Sequence, residues 1–337
     1  MRRTWRELSD GRTAVPGSDP LWARFNGTEA NDTYFGTSRA DRVFGFGGND
    51  TLTGADGNDV IDGGEGHDIL AGDAGDDSLN GGAGNDLLSS SSGADRVDGG
   101  EGKDLWFGVY QSSPDTITFD EGGLGDDVLN GGSGDDVIDG SNGSDTAGYF
   151  GATSGVVVTV ADGPQDTKGA GIDTLNLIEN INGSTFGDIL TGNFFDNALR
   201  GFDGGDVVRG LDGDDWLDGG KGVDRLIGGT GSDVFAFGSS DDFGQGVRDK
   251  ILDFSNAEGD RIDLSALDQD SARQGDQAFT FIGSAGFSGD AVRYELRVRD
   301  AGNGTWLVSG DLNQDRTADF TISVFTVAPL VAGDFSL

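Results

Sequence analysis

The chain has 337 residues, a formal net charge of -38 and no cysteine. That balance excludes a nucleic-acid binder, which needs a basic face. It also excludes disulfide and thiolate chemistry, and no apolar run approaches the ~18 residues of a membrane-spanning helix.

The acidity has an unusual make-up. Only eight of the 60 acidic residues are Glu, which leaves 52 Asp beside 62 Gly. Glu favours helices, whereas Asp favours turns, so this bias points to turns rich in short carboxylates. Residues 1–35 carry matched charge, with Arg2, Arg3, Arg6, Arg12 and Arg24 against Glu7, Asp10, Asp19, Glu29 and Asp32, so the acidic excess lies beyond them. They read as a separate N-terminal segment, a candidate cap. They contain no 7–15-residue apolar core, which argues against a cleaved signal peptide.

A nine-residue period follows. A degenerate copy, GTSRADRVF, starts at Gly36, and seven gapless copies run from Gly45 (GFGGNDTLT, GADGNDVID, GGEGHDILA and so on) to residue 107. After a loop over 108–121 containing Pro114, a second array occupies 122–149. A β insert spans 150–182, with strands expected at Val156–Val160 and over IDTLNLIEN. A third array covers 183–237. The consensus is G-G-x-G-x-D-x-U-x, with U apolar.

The period has a physical reading. Three residues around U make a short strand whose middle side chain points inward. The six before it make a turn in which glycine permits positive φ. Stacking aligns the U residues into a column and the aspartates and turn carbonyls into rows of oxygen. Calcium takes 6–8 oxygens at roughly 2.3–2.6 Å in flexible geometry. A softer metal such as zinc is disfavoured where Cys and His are almost absent.

These repeats resemble the RTX (repeats-in-toxin) calcium-binding nonapeptides. The resemblance implies an all-β fold, a right-handed parallel β-roll with calcium between turns. By that pattern the metal ligands are Asp50, Asp59, Asp68, Asp77, Asp86, Asp95, Asp104, Asp127, Asp136, Asp145, Asp188, Asp206, Asp215, Asp224 and Asp233, with neighbouring Gly carbonyls. Ser90 and Ser91 replace the opening glycines before Asp95, and Phe194, Phe195 and Asn197 mark a metal-free turn. About ten Ca2+ ions are expected, and their charge would offset roughly half of the acidity.

Residues 238–337 resemble the C-terminal domain of serralysin-type metalloproteases, through DKILDF at Asp249, GDRIDLS at Gly259, FTFIG at Phe279 and GTWLVSGDLNQDRTADFTI at Gly304. That family implies an antiparallel β-sandwich-like cap on the roll. Asp249 and Asp253 are candidates to complete the last roll site. Asp311, Asn313, Asp315, Thr317 and Asp319 begin like an EF-hand loop. Arg316 stands where that loop needs Gly, and Ile322 where it needs Glu, so a polar hairpin turn is the better reading. The terminal LVAGDFSL resembles the type I secretion signal of the family, with an ordinary terminal strand as the alternative.

Catalytic chemistry is not visible. A serralysin-type zinc site needs H-E-x-x-H, and the one histidine, His67, holds the variable fifth position of a repeat and is expected to face solvent. No Ser-His-Asp or Cys-His arrangement is available. Paired carboxylates of the glycosidase kind are explained by the repeat register. Trp106, Trp216 and Trp306 are candidates for a sugar-binding face, Trp106 being the better core residue. The sequence therefore reads as a secreted, extracellular bacterial calcium-binding protein without an enzyme domain. Its partners would be calcium, the type I export apparatus and possible extracellular polysaccharide or cell surface. The alternatives are an adhesin or matrix protein, and a relative of a serralysin-type peptidase that has lost its catalytic domain.

Overall fold

A computed structural model describes residues 6–7, 13–14, 23–90, 93, 95–102, 104–108, 119–121, 126–131, 134–238, 248–268, 279–288, 294–313 and 315–337. The expected loop at Pro114, the substitution at Ser91 and most of residues 1–22 fall outside that set. Among the described residues there is no α-helix, and strands make up nearly all the regular structure. The all-β parallel β-roll expected above is what the chain forms. It divides into two compact units: Met1–Thr153 with Ala161–Ile178, and Ser154–Val160 with Glu179–Leu337.

In the first unit two parallel sheets share the repeats alternately. One contains Ala23–Asn26, Asp41–Gly47, Val60–Glu65, Ser78–Ala83, Arg96–Glu101, Phe119–Glu121, Val137–Asp139 and Ile172–Asn176. The other contains Thr33–Thr37, Thr51–Asp56, Ile69–Ala74, Leu87–Ser90, Leu105–Gly108, Val128–Leu129 and Thr146–Gly148. Two nonapeptides make one full turn, so register partners lie two repeats apart, as Val43 and Ile61 or Leu52 and Leu70 do. Among the described residues parallel pairing starts at Ala23, ahead of the first copy recognisable at Gly36.

Each strand presents its middle residue inward because side chains alternate across a strand. The U residues Leu52, Leu70 and Leu88 are fully buried, and Val43, Ile61 and Leu79 face them from the other sheet with 1% exposure or less. Trp106 sits in the same column at 1%, as a core residue. The insert returns to this register. Leu175 pairs with Ile138 across 37 residues, and Gly163–Asp166 closes the sheet edge antiparallel to Ile172–Asn176.

The second unit repeats the plan. Val157–Thr159, from the insert, pairs parallel with Ile189–Thr191, and Val207–Asp212, Arg225–Thr230 and Lys250–Ile251 follow in the same sheet. The facing sheet runs through Asn180–Asn182, Ala198–Arg200, Trp216–Asp218, Val234–Ala236, Arg261–Asp263 and Phe335–Ser336. The last residues of the chain thus add a parallel strand with Phe335 buried.

Beyond Ile251 the first of these sheets changes character. Phe320–Phe325 joins it parallel, then Thr305–Asp311 and Glu295–Gly302 continue it antiparallel. The antiparallel strands therefore extend a roll sheet directly. Asn303 and Gly304, with φ of 56° and 75°, form the tight connection of this hairpin, as Asn-Gly favours.

Candidate metal centre

The position-six aspartates are all nearly inaccessible, although a charged side chain is rarely buried without a partner. Asp50, Asp59 and Asp68 are each 1% exposed, and Asp206 and Asp233 are 0%. One oxygen of each is accounted for. Its Oδ1 accepts the backbone N–H of the residue one full turn earlier: Asp50 from Asp32 at 2.8 Å, Asp68 from Asp50 at 2.7 Å, Asp86 from Asp68 at 2.8 Å. The second unit does the same, with Asp206 accepting from Asp188 at 2.7 Å and Asp224 from Asp206 at 2.8 Å.

The other oxygen is not. Among the described residues, the buried Oδ2 atoms of Asp50, Asp59, Asp68, Asp77, Asp86, Asp104, Asp206, Asp215 and Asp233 have no hydrogen-bond donor. A buried anionic oxygen left this way is costly, and its repetition at one position of the repeat calls for a cation. Burial pushes these carboxyls up, to about 6 for Asp59, Asp86 and Asp215, about 7 for Asp77, Asp104 and Asp233, and about 8 for Asp206. Donation from the neighbouring turn's N–H pulls the other way, and like-charged aspartates nearby add to the rise.

The glycine opening each turn keeps space beside that oxygen. A Cβ on Gly45 would lie 2.1 Å from Asp50 Oδ2 and 2.3 Å from the Gly63 carbonyl oxygen; on Gly63 it would meet Asp68 Oδ2 at 2.3 Å and the Gly81 carbonyl at 2.6 Å. Only a residue without a side chain leaves this oxygen-edged cradle open. Among the described residues no three His, Cys, Asp or Glu side chains gather at one point. A site here combines carboxylates with backbone carbonyls, a donor set that suits a hard cation. The residues fit calcium.

Not every predicted ligand has this arrangement. Asp188 has both oxygens occupied: Ser184 N–H donates to Oδ2 at 2.6 Å and Ser184 Oγ to Oδ1 at 2.8 Å. Asn197, expected to mark a metal-free turn, accepts Asn193 N–H at 2.7 Å and donates to the Glu179 carbonyl. Asp249 joins the row by accepting Asp224 N–H at 2.9 Å, whereas Asp253 accepts from Gly228 and Gly229 instead. In the 311–319 hairpin, Asp319 accepts from Leu312 and Asn313, and Asp311 from Arg316, whose φ is 74°. That is the polar turn.

Three features escaped the sequence reading. Asp41 and Asp173 take position-six places in the row, Asp41 accepting from Ala23 and Asp173 from Asp136. Asp173 lies in the insert, out of period with the arrays, but KGAGIDTLN (168–176) places Gly169, Gly171, Asp173 and Leu175 at positions two, four, six and eight of the repeat, a signal the sequence reading passed over. Position five also forms a row. Asn31 Oδ1 accepts Asn49 N–H at 2.9 Å, Asn49 Oδ1 accepts His67 N–H at 3.1 Å, and His67 Nδ1 accepts Asn85 N–H at 2.7 Å. His67 is exposed, as expected, but it is a rung of this row and not a free side chain. The frequency of Asn and Asp at position five was the available signal.

Stacked nonapeptide turns with buried, half-satisfied aspartates and glycine-opened carbonyl cradles define a calcium-binding parallel β-roll. Residues 26–61, 44–79, 71–105, 121–147, 182–216, 200–235 and 209–243 match the RTX calcium-binding nonapeptide repeat (4 copies), together half of the chain. The chain belongs to the RTX calcium-binding repeat family. No curated protein matches it. A solved solution structure, the AlgE6R3 subunit from the Azotobacter vinelandii mannuronan C5-epimerase, is 29% identical over 45% of this chain and 78% of that one, with a TM-score of 0.34. That overlap is too loose to carry structure or activity across.

Proposed function

We propose that this is a secreted, non-enzymatic bacterial protein that folds when extracellular calcium fills its rolls. The observation that carries the reading is the row of buried Oδ2 atoms without a donor. Calcium would be held by the position-six carboxylates, from Asp50 to Asp145 and from Asp206 to Asp233, with carbonyls such as that of Gly63. About ten ions are expected at sites of the extracellular-module class, with Kd of ~10⁻⁴–10⁻³ M. When bound, calcium supplies positive charge to oxygens that burial otherwise drives toward protonation.

The chain's own residues explain why the ion is needed. One inward apolar side chain per nine residues does not offset the ordering entropy of those nine, and the unneutralised aspartates repel. Where free calcium is low the repeats stay open and exportable; outside the cell, binding free energy becomes folding free energy. The resemblance of residues 238–337 to the serralysin C-terminal domain, and of DFSL to its export signal, supports type I secretion. Within the 337 residues the single histidine cannot supply the H-E-x-x-H ligands of a zinc peptidase. The direct test is far-UV circular dichroism during a calcium titration from chelator. A cooperative gain of strand signal is expected, and a fully strand-rich spectrum in chelator would sink the reading.

A second reading, adhesion to an extracellular polymer, is favoured by exposed aromatic side chains on the second unit's turns: Phe186, Phe194 and Phe195 are 45%, 70% and 63% exposed. A solenoid offers such side chains at regular spacing. Calcium-dependent retention on immobilised polysaccharide, lost in Phe194→Ser with Phe195→Ser, would establish it.

A further inference from the structure

The turns adopt two conformations, and the first described roll turns of both units share one of them. In the first unit Thr28 N–H donates to Asp32 Oδ2 at 2.6 Å, and Thr37 N–H to Asp41 Oδ2 at 2.7 Å with its hydroxyl on Oδ1. In the second unit Ser184 closes on Asp188 and Asn193 on Asn197 in the same way. The position-four N–H then turns back onto the position-two side chain: Ala30 onto Thr28, Phe186 onto Ser184, Phe195 onto Asn193. These side-chain-to-backbone bonds are the kind that Ser, Thr and Asn make in turns.

The backbone differs as well. In the glycine turns positions two and four are left-handed, as at Ala55 (77°) and Gly57 (131°) or Leu211 (87°) and Gly213 (115°). In the four closed turns neither position is left-handed. A serine at position two does not by itself close a turn. Ser141, at φ 65°, sends its N–H to Asp139.

This difference reverses the polarity of the site. A cation needs oxygen lone pairs, and in a closed turn the carboxylate faces the positive ends of N–H and O–H dipoles. Asn197 supports the distinction. In its closed turn a neutral amide oxygen serves where other repeats carry aspartate, because its partner is an N–H.

We propose that Asp32, Asp41, Asp188 and Asn197 are not calcium ligands, and that each unit starts on two turns closed by their own side chains without metal. Their role is positioning. The backbone N–H of Asp32 holds Asp50 Oδ1, that of Asp41 holds Asp59, that of Asp188 holds Asp206 and that of Asn197 holds Asp215. Each first glycine turn thereby receives an oriented carboxylate whose other oxygen would be left for the ion. This inference rests on the calcium reading, so its test separates the two.

Bound calcium per full-length chain is counted by equilibrium dialysis and atomic emission for wild type, Asp188→Asn and Asp206→Asn. Asp188→Asn is expected to keep the wild-type count, and Asp206→Asn to lose at least one ion. Equal loss in both overturns the proposal. Asp41→Asn repeats the test in the first unit should Asp188→Asn fail to fold. Hydrogen exchange in chelator gives a readout independent of ion counting. The Thr37 and Ser184 amides are expected to exchange at least roughly tenfold slower than an unstructured peptide; exchange at the unstructured rate overturns the proposal. A wild-type chain that binds no calcium while these amides stay protected removes the calcium reading and leaves the closed turns standing.

Discussion

The glycine-turn stack of residues 45–107 and the closing region of residues 248–337 are both β structure, but different forces hold them. In the stack, each nine residues bury one apolar side chain and one aspartate, and the strands are short. In the closing region, strands of six to eight residues pair antiparallel, and aromatic rings pack on one another. Phe279 meets Phe320 edge-on at 5.9 Å and Tyr294 at 5.9 Å, and Phe281 lies 5.7 Å from Phe335. Arg297 sits over Phe287 at 4.2 Å. On the proposed reading the first region needs an ion for cohesion; the second has an apolar core of the ordinary kind.

The largest test of this contrast is calcium removal. With excess chelator, hydrogen exchange over residues 45–107 is expected to approach unstructured rates, while the amides of Glu295–Gly302, Thr305–Asp311 and Phe320–Phe325 keep protection of roughly a hundredfold or more. Simultaneous loss in both regions would show that one cooperative unit, not two kinds of cohesion, holds the chain.

Acid sharpens the comparison. Carboxyls raised to about 6–8 in the folded, metal-free stack (Asp59, Asp77, Asp206) hold protons more tightly than in the unfolded chain. Their contribution to metal-free folding is therefore fully present below the ordinary carboxylate value of about 4, and is lost as pH rises through 6–8. In chelator, lowering the pH from 8 to 4 should increase strand signal, the reverse of ordinary acid unfolding. In calcium, the same change should weaken apparent affinity, because protons compete for the ligands. A metal-free chain that only loses structure on acidification would contradict this.

The smallest expected effect concerns backbone strain. Leu211 is held at φ 87° in a glycine turn, a conformation that costs a bulky residue about 1–2 kcal/mol. Leu211→Gly should raise the denaturant midpoint of the calcium-loaded chain by an amount equivalent to ~1 kcal/mol. The same substitution at Phe195, where φ is not left-handed, should give no gain. Calorimetric or denaturant midpoints of the two variants decide it.

Much of this is legible in the sequence. A period of nine with Asp at six and an apolar residue at eight specifies a strand, a turn and their alternation. Leu52, Leu70 and Asp50 fell where the pattern put them, because each repeat meets only its neighbours. The pattern was blind where the chain leaves the period. Leu175 and Asp173 regain the register across 37 residues; the local KGAGIDTLN keeps the repeat's Gly, Asp and apolar positions, but it stands off the nine-residue spacing of the preceding array, which does not say how far the insert reaches before it pairs. It was equally blind to the state of an aspartate. Asp188 and Asp206 stand at the same repeat position, yet Ser184 donates to both oxygens of the first, whereas the Oδ2 of the second has no donor among the described residues.

By itself, then, the sequence determined the repeat unit, its inward apolar column and the chemistry of a hard cation, because those follow from spacing and donor type within nine residues. The tertiary structure decided which carboxylates keep a buried oxygen for that cation. That depends on where the N–H groups of the same turn and of the turn eighteen residues away point, and backbone direction is settled only when the turns are stacked.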